Sequence, residues 1–286
     1  YLMVGKSYFY KGEFEDAIKT FSFIKNEYKN NEIQFDASLW LIRALVEKKD
    51  FMTADVELDE LTNNRKFPKK LDVDLAKISA DFYLQQANYE LALEQLVKID
   101  KLIKRKNKKV RYNYIMAQLY QLQNNFRNAK NKYEQVLKSS PEYEMVFNAK
   151  MNLARSLESG SRDTQKMRQK LLKMTKDDKN KEYLDQIYFT LAEMDINNSD
   201  TLAAIDNYLL STVNSIENNT QKSLSFLALA KIDYNRSFYK DAKINYDSTL
   251  FYMDEDFREY ESAKEKHEIL QELVYHLDVI SLQDSL

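Results

Sequence analysis

Cysteine is missing from this chain altogether, which removes disulfides, thiolate zinc sites and thiol catalysis from consideration. The absence leaves the compartment open, because a helical protein is stable without bridges in either redox setting. Only 3 glycines and 2 prolines occur in 286 residues. Both residue types disfavour helix interiors, so their scarcity points to an all-helical chain. No run of eighteen apolar residues is present, so no helix is expected to span a membrane. Charge of one sign is lacking too: 43 basic residues stand against 45 acidic ones, a balance that neither demands nucleic acid nor excludes a local patch. There is no glycine-rich phosphate loop and no nucleophile elbow. The two histidines, His267 and His276, stand nine apart on one predicted helix, a spacing that does not bring them to one face for a shared metal. Asp177-Asp178 and Asp254-Glu255-Asp256 flank predicted helices, where caps and solvated turns are the ordinary use of carboxylates. No catalytic residue, cofactor or metal is expected, and the chain reads as a non-enzyme.

What is there is a repeat. Ala17, Ala54, Ala92, Ala129, Ala204 and Ala242 stand 37, 38, 37, 75 and 38 residues apart, and Met167 divides the long gap. Self-similarity at this period marks a solenoid, whose units bury their apolar faces only against one another. In the first copy apolar and small residues recur three and four apart on both sides of Lys11-Gly12, the pattern of two amphipathic helices joined by a tight turn. Gly5 and Ala17 are small where the helices of this hairpin should touch, and Gly12 should supply the positive φ that ends the first helix. Tyr8, Phe14, Phe21 and Ile24 fill the space around them. Asn30-Asn31, Asn63-Asn64 and Asn218-Asn219 read as turns between helices.

These positions resemble the tetratricopeptide repeat family, which has a small residue, an aromatic three later, a turn Gly, then an Ala and an aromatic. The fourth copy carries Ala117, Tyr120, Ala129, Tyr133, Val136 and the helix-ending Pro141; the third carries Ala80, Tyr83, Ala92, Leu96 and Ile99. Ala192, Ala204 and Tyr208, then Ala230, Ala242 and Tyr246, repeat the scheme. The second copy is weaker, with Leu45, Ala54 and Leu58, and the fifth is weakest, with Gly160-Ser161 inserted and Met167 in place of Ala. The expected architecture is an all-α solenoid: about seven hairpins over residues 1–253, followed by a long C-terminal capping helix within residues 254–286. That helix is expected over 257–280, with Tyr260, Ala263, Leu270, Leu273, Val274, Leu277 and Ile280 apolar. Each unit is longer than the family's usual repeat, and the surplus is expected mostly in the connections between hairpins.

In this family the first helix of each hairpin lines the concave wall, and the residue after the small one points into the groove. The resemblance therefore implies a partner-binding ladder of Lys6, Arg43, Asp81, Gln118, Arg155, Glu193 and Lys231, flanked by Leu39, Trp40, Tyr114, Phe189 and Tyr234. Such a mixed-sign wall suits an extended or helical peptide, or is simply a solvated face. The family's chaperone-tail clamp is not evident, since the ladder holds no Asn. A second candidate surface is basic: Arg65, Lys66, Lys69 and Lys70 lie in the second connection, and Lys101, Lys104, Arg105, Lys106, Lys108, Lys109 and Arg111 cluster around the third. Repeat geometry should bring both to one edge, fit for an anionic partner or for keeping the solenoid soluble. Nucleic acid is not expected, because no aromatic stacking platform or reading helix accompanies the charge.

Several segments outside the core positions carry a narrower likeness. Residues 1–17, Phe67 to Ala76, Lys170 to Tyr183, Asp185 to Tyr188, Tyr246 to Leu250 and Leu282 to Leu286 resemble the lipoproteins of the gliding-motility and type IX secretion machinery. That resemblance implies a protein anchored at the outer membrane and facing the periplasm, joining the secretion translocon to ring and motor subunits. Tyr1 falls inside what should be the first helix and the last residues bring no obvious stop, so the sequence reads as cut at both ends and leaves room outside it for a signal peptide, a lipid-bearing Cys or a further domain. The alternatives are a soluble cochaperone or regulatory adaptor with a peptide in its groove, and an envelope scaffold that holds anionic lipid or cell-wall material through the basic edge.

Overall fold

The computed structural model describes residues 1–284, which contain fifteen α-helices and no strand. They pair as seven hairpins: α1 (Leu2–Tyr10) with α2 (Phe14–Glu27), α3 (Ile33–Glu47) with α4 (Phe51–Thr62), α5 (Asp72–Gln85) with α6 (Tyr89–Leu102), α7 (Lys106–Leu122) with α8 (Phe126–Lys138), α9 (Tyr143–Arg155) with α10 (Arg162–Met174), α11 (Leu184–Asn197) with α12 (Thr201–Asn214), and α13 (Asn219–Asn235) with α14 (Tyr239–Tyr252). The last helix, α15 (Tyr260–Asp284), follows them. Each of the seven spaced residues lies in the second helix of its hairpin, and the six alanines are 0 % exposed. A methyl group is all that two backbones in contact can accommodate there.

The chain divides into two compact units, Tyr1–Val146 and Phe147–Leu286. In the first, hairpins one to three share a core that includes Phe9, Phe21, Ile24, Ile42, Leu58 and Phe82, and hairpins three and four share Ala80, Leu96, Ile99 and Met116. Gly5 sits so close to Phe21 that an added Cβ would lie 2.5 Å from the ring, which is why the first small site is a glycine. Ile42, not an alanine, occupies the matching site of the second hairpin and is fully buried. In the second unit, hairpins six and seven pack through Ala192, Ala204, Tyr208 and Leu229. The helix α15 covers the last hairpin, with Leu270 and Ala263 buried against Tyr246 and Met253. It starts later than its apolar pattern suggests, because turn bonds from Phe257 N–H to Asp254 and from Tyr260 N–H to Phe257 hold the preceding residues out of the helix. Only part of the segment Leu282 to Leu286 lies within the described residues. In the fifth hairpin Met167, at 7 % exposure, is buried on α10 at the position where the other hairpins bury Ala.

One turn design joins the helices inside six of the hairpins. Gly12 N–H bonds to Phe9 C=O and Glu13 N–H to Tyr8 C=O, the paired arrangement that closes a helix around a left-handed residue. The same pair recurs at Lys49-Asp50, Ala87-Asn88, Asn124-Asn125, Ser199-Asp200 and Ser237-Phe238. The left-handed residue is Lys49, Ala87, Asn124, Ser199 or Ser237, with φ between 56° and 63°. The next residue often caps the second helix: Asp50, Asn88, Asn125 and Asp200 accept the N–H three positions on. A side chain with a Cβ strains this conformation, so Ala87→Gly is expected to stabilise by about 0.5–1 kcal/mol once glycine's greater unfolded-state freedom is subtracted. Urea titration checks it.

The surplus length is divided. Residues 63–71 and 175–183 form long connections, each with a 3-10 turn, Lys69–Leu71 and Asp178–Tyr183, but α7 and α13 absorb theirs as 17-residue helices.

Candidate interaction surfaces

Within the first unit, α3 places Asp36, Leu39, Trp40 and Arg43 at i, i+3, i+4 and i+7, which puts them on one face. In α5 the residues Asp74, Lys77, Ile78 and Asp81 repeat that spacing. The two faces and Lys6 of α1 surround a hollow of about 530 Å³. Its centre is Trp40, with the Lys6 ammonium 4.8 Å and the Arg43 guanidinium 4.2 Å from the indole centroid. Phe9 and Tyr10 brace the indole edge-on at 5.4 and 5.8 Å. Each cation stabilises the ring by about 0.5–1 kcal/mol and stays accessible from solvent. Burial raises the Asp81 carboxyl above the ordinary carboxylate range, against the pull of Arg43 and a hydrogen bond from Gln85. Leu39 belongs to the floor, at 4 % exposure. The structure thus brings five of the expected groove residues together and adds Asp36, Asp74, Lys77 and Ile78. Those four were missed because flanking positions were followed beside Arg43 only as far as Leu39 and Trp40 and not at all beside Asp81; the i−7, i−4 and i−3 offsets applied to both Arg43 and Asp81 would have found them. Tyr114 and Gln118 lie on α7 and do not line this hollow: Tyr114 leans edge-on against Tyr133 at 5.9 Å, and Gln118 is exposed.

In the second unit the ladder residues pair with one another. Arg155 Nε lies 2.5 Å from the Glu193 carboxylate, its guanidinium sits 5.9 Å over Phe189, and Nη1 donates to Asn152. Tyr234 is half-buried under α15, with the Lys266 ammonium 4.5 Å over its ring, while Lys231 is exposed.

The basic residues all lie in the first unit. Arg65, Lys66, Lys69 and Lys70 are exposed in the second connection, and Lys70 pairs with Glu32. The third connection is only residues 103–105, so Lys106, Lys108, Lys109 and Arg111 belong to the opening turns of α7. Lys109 turns inward with Lys132 onto Asp100. Burial raises the Asp100 carboxyl, but the hydrogen bonds from both lysines outweigh it and hold the group below its usual range. Lys101, Lys104, Arg105, Lys106, Lys108 and Arg111 stay exposed.

No group of His, Cys, Asp and Glu fit for a metal exists among the described residues. His267 lies 2.5 Å from Asp247, and His276 is exposed beside Tyr275, so the two histidines are not brought together. The buried carboxylates are structural. Asp195, 3 % exposed, accepts from Arg168 Nε and Nη2 and from the Asn207 amide. Asp185, 2 % exposed, accepts only neutral donors: Gln186 N–H at 2.8 Å, Asn218 at 3.0 Å and Ser215 at 3.3 Å. Burial raises its carboxyl above the ordinary range, and these hydrogen bonds only partly offset that. The folded state therefore holds the proton more tightly than the unfolded chain, whose carboxyl titrates near ~3.9. Stability from this group is greatest below that value and falls as pH rises through the folded-state pKa. Asp185→Asn is expected to stabilise at pH 7, with an advantage that shrinks as pH falls toward 4 in parallel urea titrations.

No protein-family model and no curated protein matches the chain. Solved structures do. RapI in its apo form aligns with 96 % of this chain and 80 % of its own, at TM-score 0.62 and 15 % identity. NprR in complex with its cognate peptide NprX aligns with 92 % of this chain and 82 % of its own, at 0.51 and 17 %. A signal transduction ATPase from Pyrococcus horikoshii with a tetratricopeptide repeat sensor aligns with 99 % of this chain and 43 % of its own, at 0.50 and 16 %. The chain has a tetratricopeptide-repeat-like α-solenoid fold. At these identities the likeness is one of fold.

Proposed function

We propose that the chain is a non-enzymatic scaffold that holds a segment of another protein against the inner wall of its first unit. The observation that carries this reading is the hollow around Trp40, where three cations and three carboxylates surround one accessible indole. An aromatic anchor ringed by both signs of charge selects a partner by register as well as by attraction. The NprR structure, solved with its peptide, supports a peptide as the occupant.

The machine in which the scaffold works is read from sequence. The segments 67–76 and 170–183, which resemble the SprE (PorW) lipoproteins, include the two 3-10 connections, where this chain departs from a generic repeat. That supports a place at the periplasmic face of the outer membrane, linking the type IX secretion translocon to ring and motor subunits. Membrane contact is then made only through an anchor outside this sequence. The test is a photo-crosslinking benzoylphenylalanine at Asp74, an exposed residue on the rim of the hollow, in the native cell. Translocon, ring or motor subunits are the expected adducts. Recovery of cytoplasmic proteins alone overturns the secretion role and favours a soluble adaptor that uses the same wall; no adduct with any protein overturns both.

A further inference from the structure

The third hairpin departs from the others at one register position. The residue before the inner small site is Leu41, Met116, Leu153, Leu191 or Leu229 in hairpins two and four to seven, each at most 5 % exposed. In the third it is Ser79, whose hydroxyl turns back to donate to the Leu75 carbonyl at 2.9 Å. Three residues earlier Ala76 is also small, where the sixth and seventh hairpins carry Tyr188 and Phe226. The missing side-chain volume remains as a hollow of about 350 Å³ along the seam of α5 and α6, floored by Leu75, Ala76 and Ser79 and walled by Leu102 and the stems of Lys98 and Lys101. Thr62 at the end of α4 and Asp72 at the start of α5 complete its rim, so it opens beside the second connection as well as the third.

The charge beside this slot is unbalanced. Lys98 and Lys101 are exposed and take no carboxylate partner among the described residues, and the same holds for Lys104 and Arg105. Next to them α7 begins with Lys106 and Lys108 and has no acidic residue in its first turn. A helix start is where carboxylates are favoured and cations repelled, so these lysines stand where an incoming anion gains most.

We propose that this seam docks an acidic protein segment, which inserts one large apolar side chain into the slot and lays its carboxylates along Lys98, Lys101 and the start of α7. A bilayer does not fit. Ala76 and Ser79 lie recessed at 5 % exposure beneath the lysine stems, within reach of a protruding side chain but not of a flat surface. The slot is distinct from the inner wall, so it stands or falls separately from the reading of the Trp40 hollow.

The experiment titrates the full chain with a fluorescent decapeptide of Glu and Asp around a central Phe, and with a twin carrying Ala at the centre. The Phe peptide is expected to bind at least about tenfold more tightly, from the apolar area that the ring buries. Ser79→Leu, which gives this hairpin the residue that four others carry, is expected to reduce the Phe peptide to the affinity of its twin. Lys98→Gln with Lys101→Gln is expected to weaken both peptides and flatten their salt dependence. Equal affinity of the two peptides, no saturable binding of either, or recruitment only by phosphatidylglycerol vesicles overturns the proposal. So does unchanged Phe-peptide binding by Ser79→Leu. If that variant does not fold, the peptide pair and the lysine variant decide the matter without touching the core.

Discussion

Replacing Arg168 by Met is expected to lower the unfolding free energy by about 3 kcal/mol, because it strands a buried carboxylate. The Asp195 side chain is 4 % exposed and receives Arg168 Nε at 3.0 Å and Nη2 at 3.3 Å. Without the guanidinium it keeps only one side-chain donor, the Asn207 amide at 2.7 Å. Pairing Arg168→Met with Asp195→Asn removes both charges, and most of the loss is expected to return. Chemical denaturation of the two single variants and the double variant measures the coupling. A single Arg168→Met within about 0.5 kcal/mol of the parent would show that Asp195 does not depend on its partner.

Leu191→Ala is expected to cost a similar amount, about 3 kcal/mol, through lost burial and the cavity left behind. Leu191 is fully buried and stands at the register position that Ser79 occupies in the third hairpin. Ser79→Ala, by contrast, removes no packed carbon and is expected to change stability by under about 0.5 kcal/mol. In a repeat array each hairpin contacts only its neighbours, so hydrogen exchange should rise first in α11 to α13 of the Leu191 variant. A uniform rise through both units, or a loss below about 1 kcal/mol, would contradict the packing described.

Much of the fold was legible because steric demands repeat. A site where two backbones touch admits a methyl group and little more, so the alanine spacing located six hairpins, and halving the long gap placed Met167, buried at 7 % exposure, in the remaining one. Of the six like turns inside hairpins, only the one at Gly12 was legible. Elsewhere hydrogen bonding imposes the left-handed conformation on Lys49 or Ala87, residues whose identity does not announce it. The aromatic expected three residues after the small site is Asp195 in the sixth hairpin and Asp233 in the seventh, each accepting from an asparagine twelve residues on. A buried carboxylate in an aromatic's place cannot be read from spacing, since its partner lies on another helix. The inner-wall residues of the first unit were half legible: the ladder located Lys6, Arg43 and Asp81, but which side chains converge depends on the faces of α3 and α5 together. The slot beside Ser79 was illegible for a different reason, because it consists of volume that is not there.

The glycine-poor turns have a practical corollary. Ala87, Ser199 and Ser237 each sit at the apex of an otherwise satisfied cap, and none of them lines the Trp40 hollow. Exchanging them for glycine one at a time should give a graded series of ever tougher proteins whose recognition chemistry is untouched, a rheostat for asking how much compliance the scaffold requires in use.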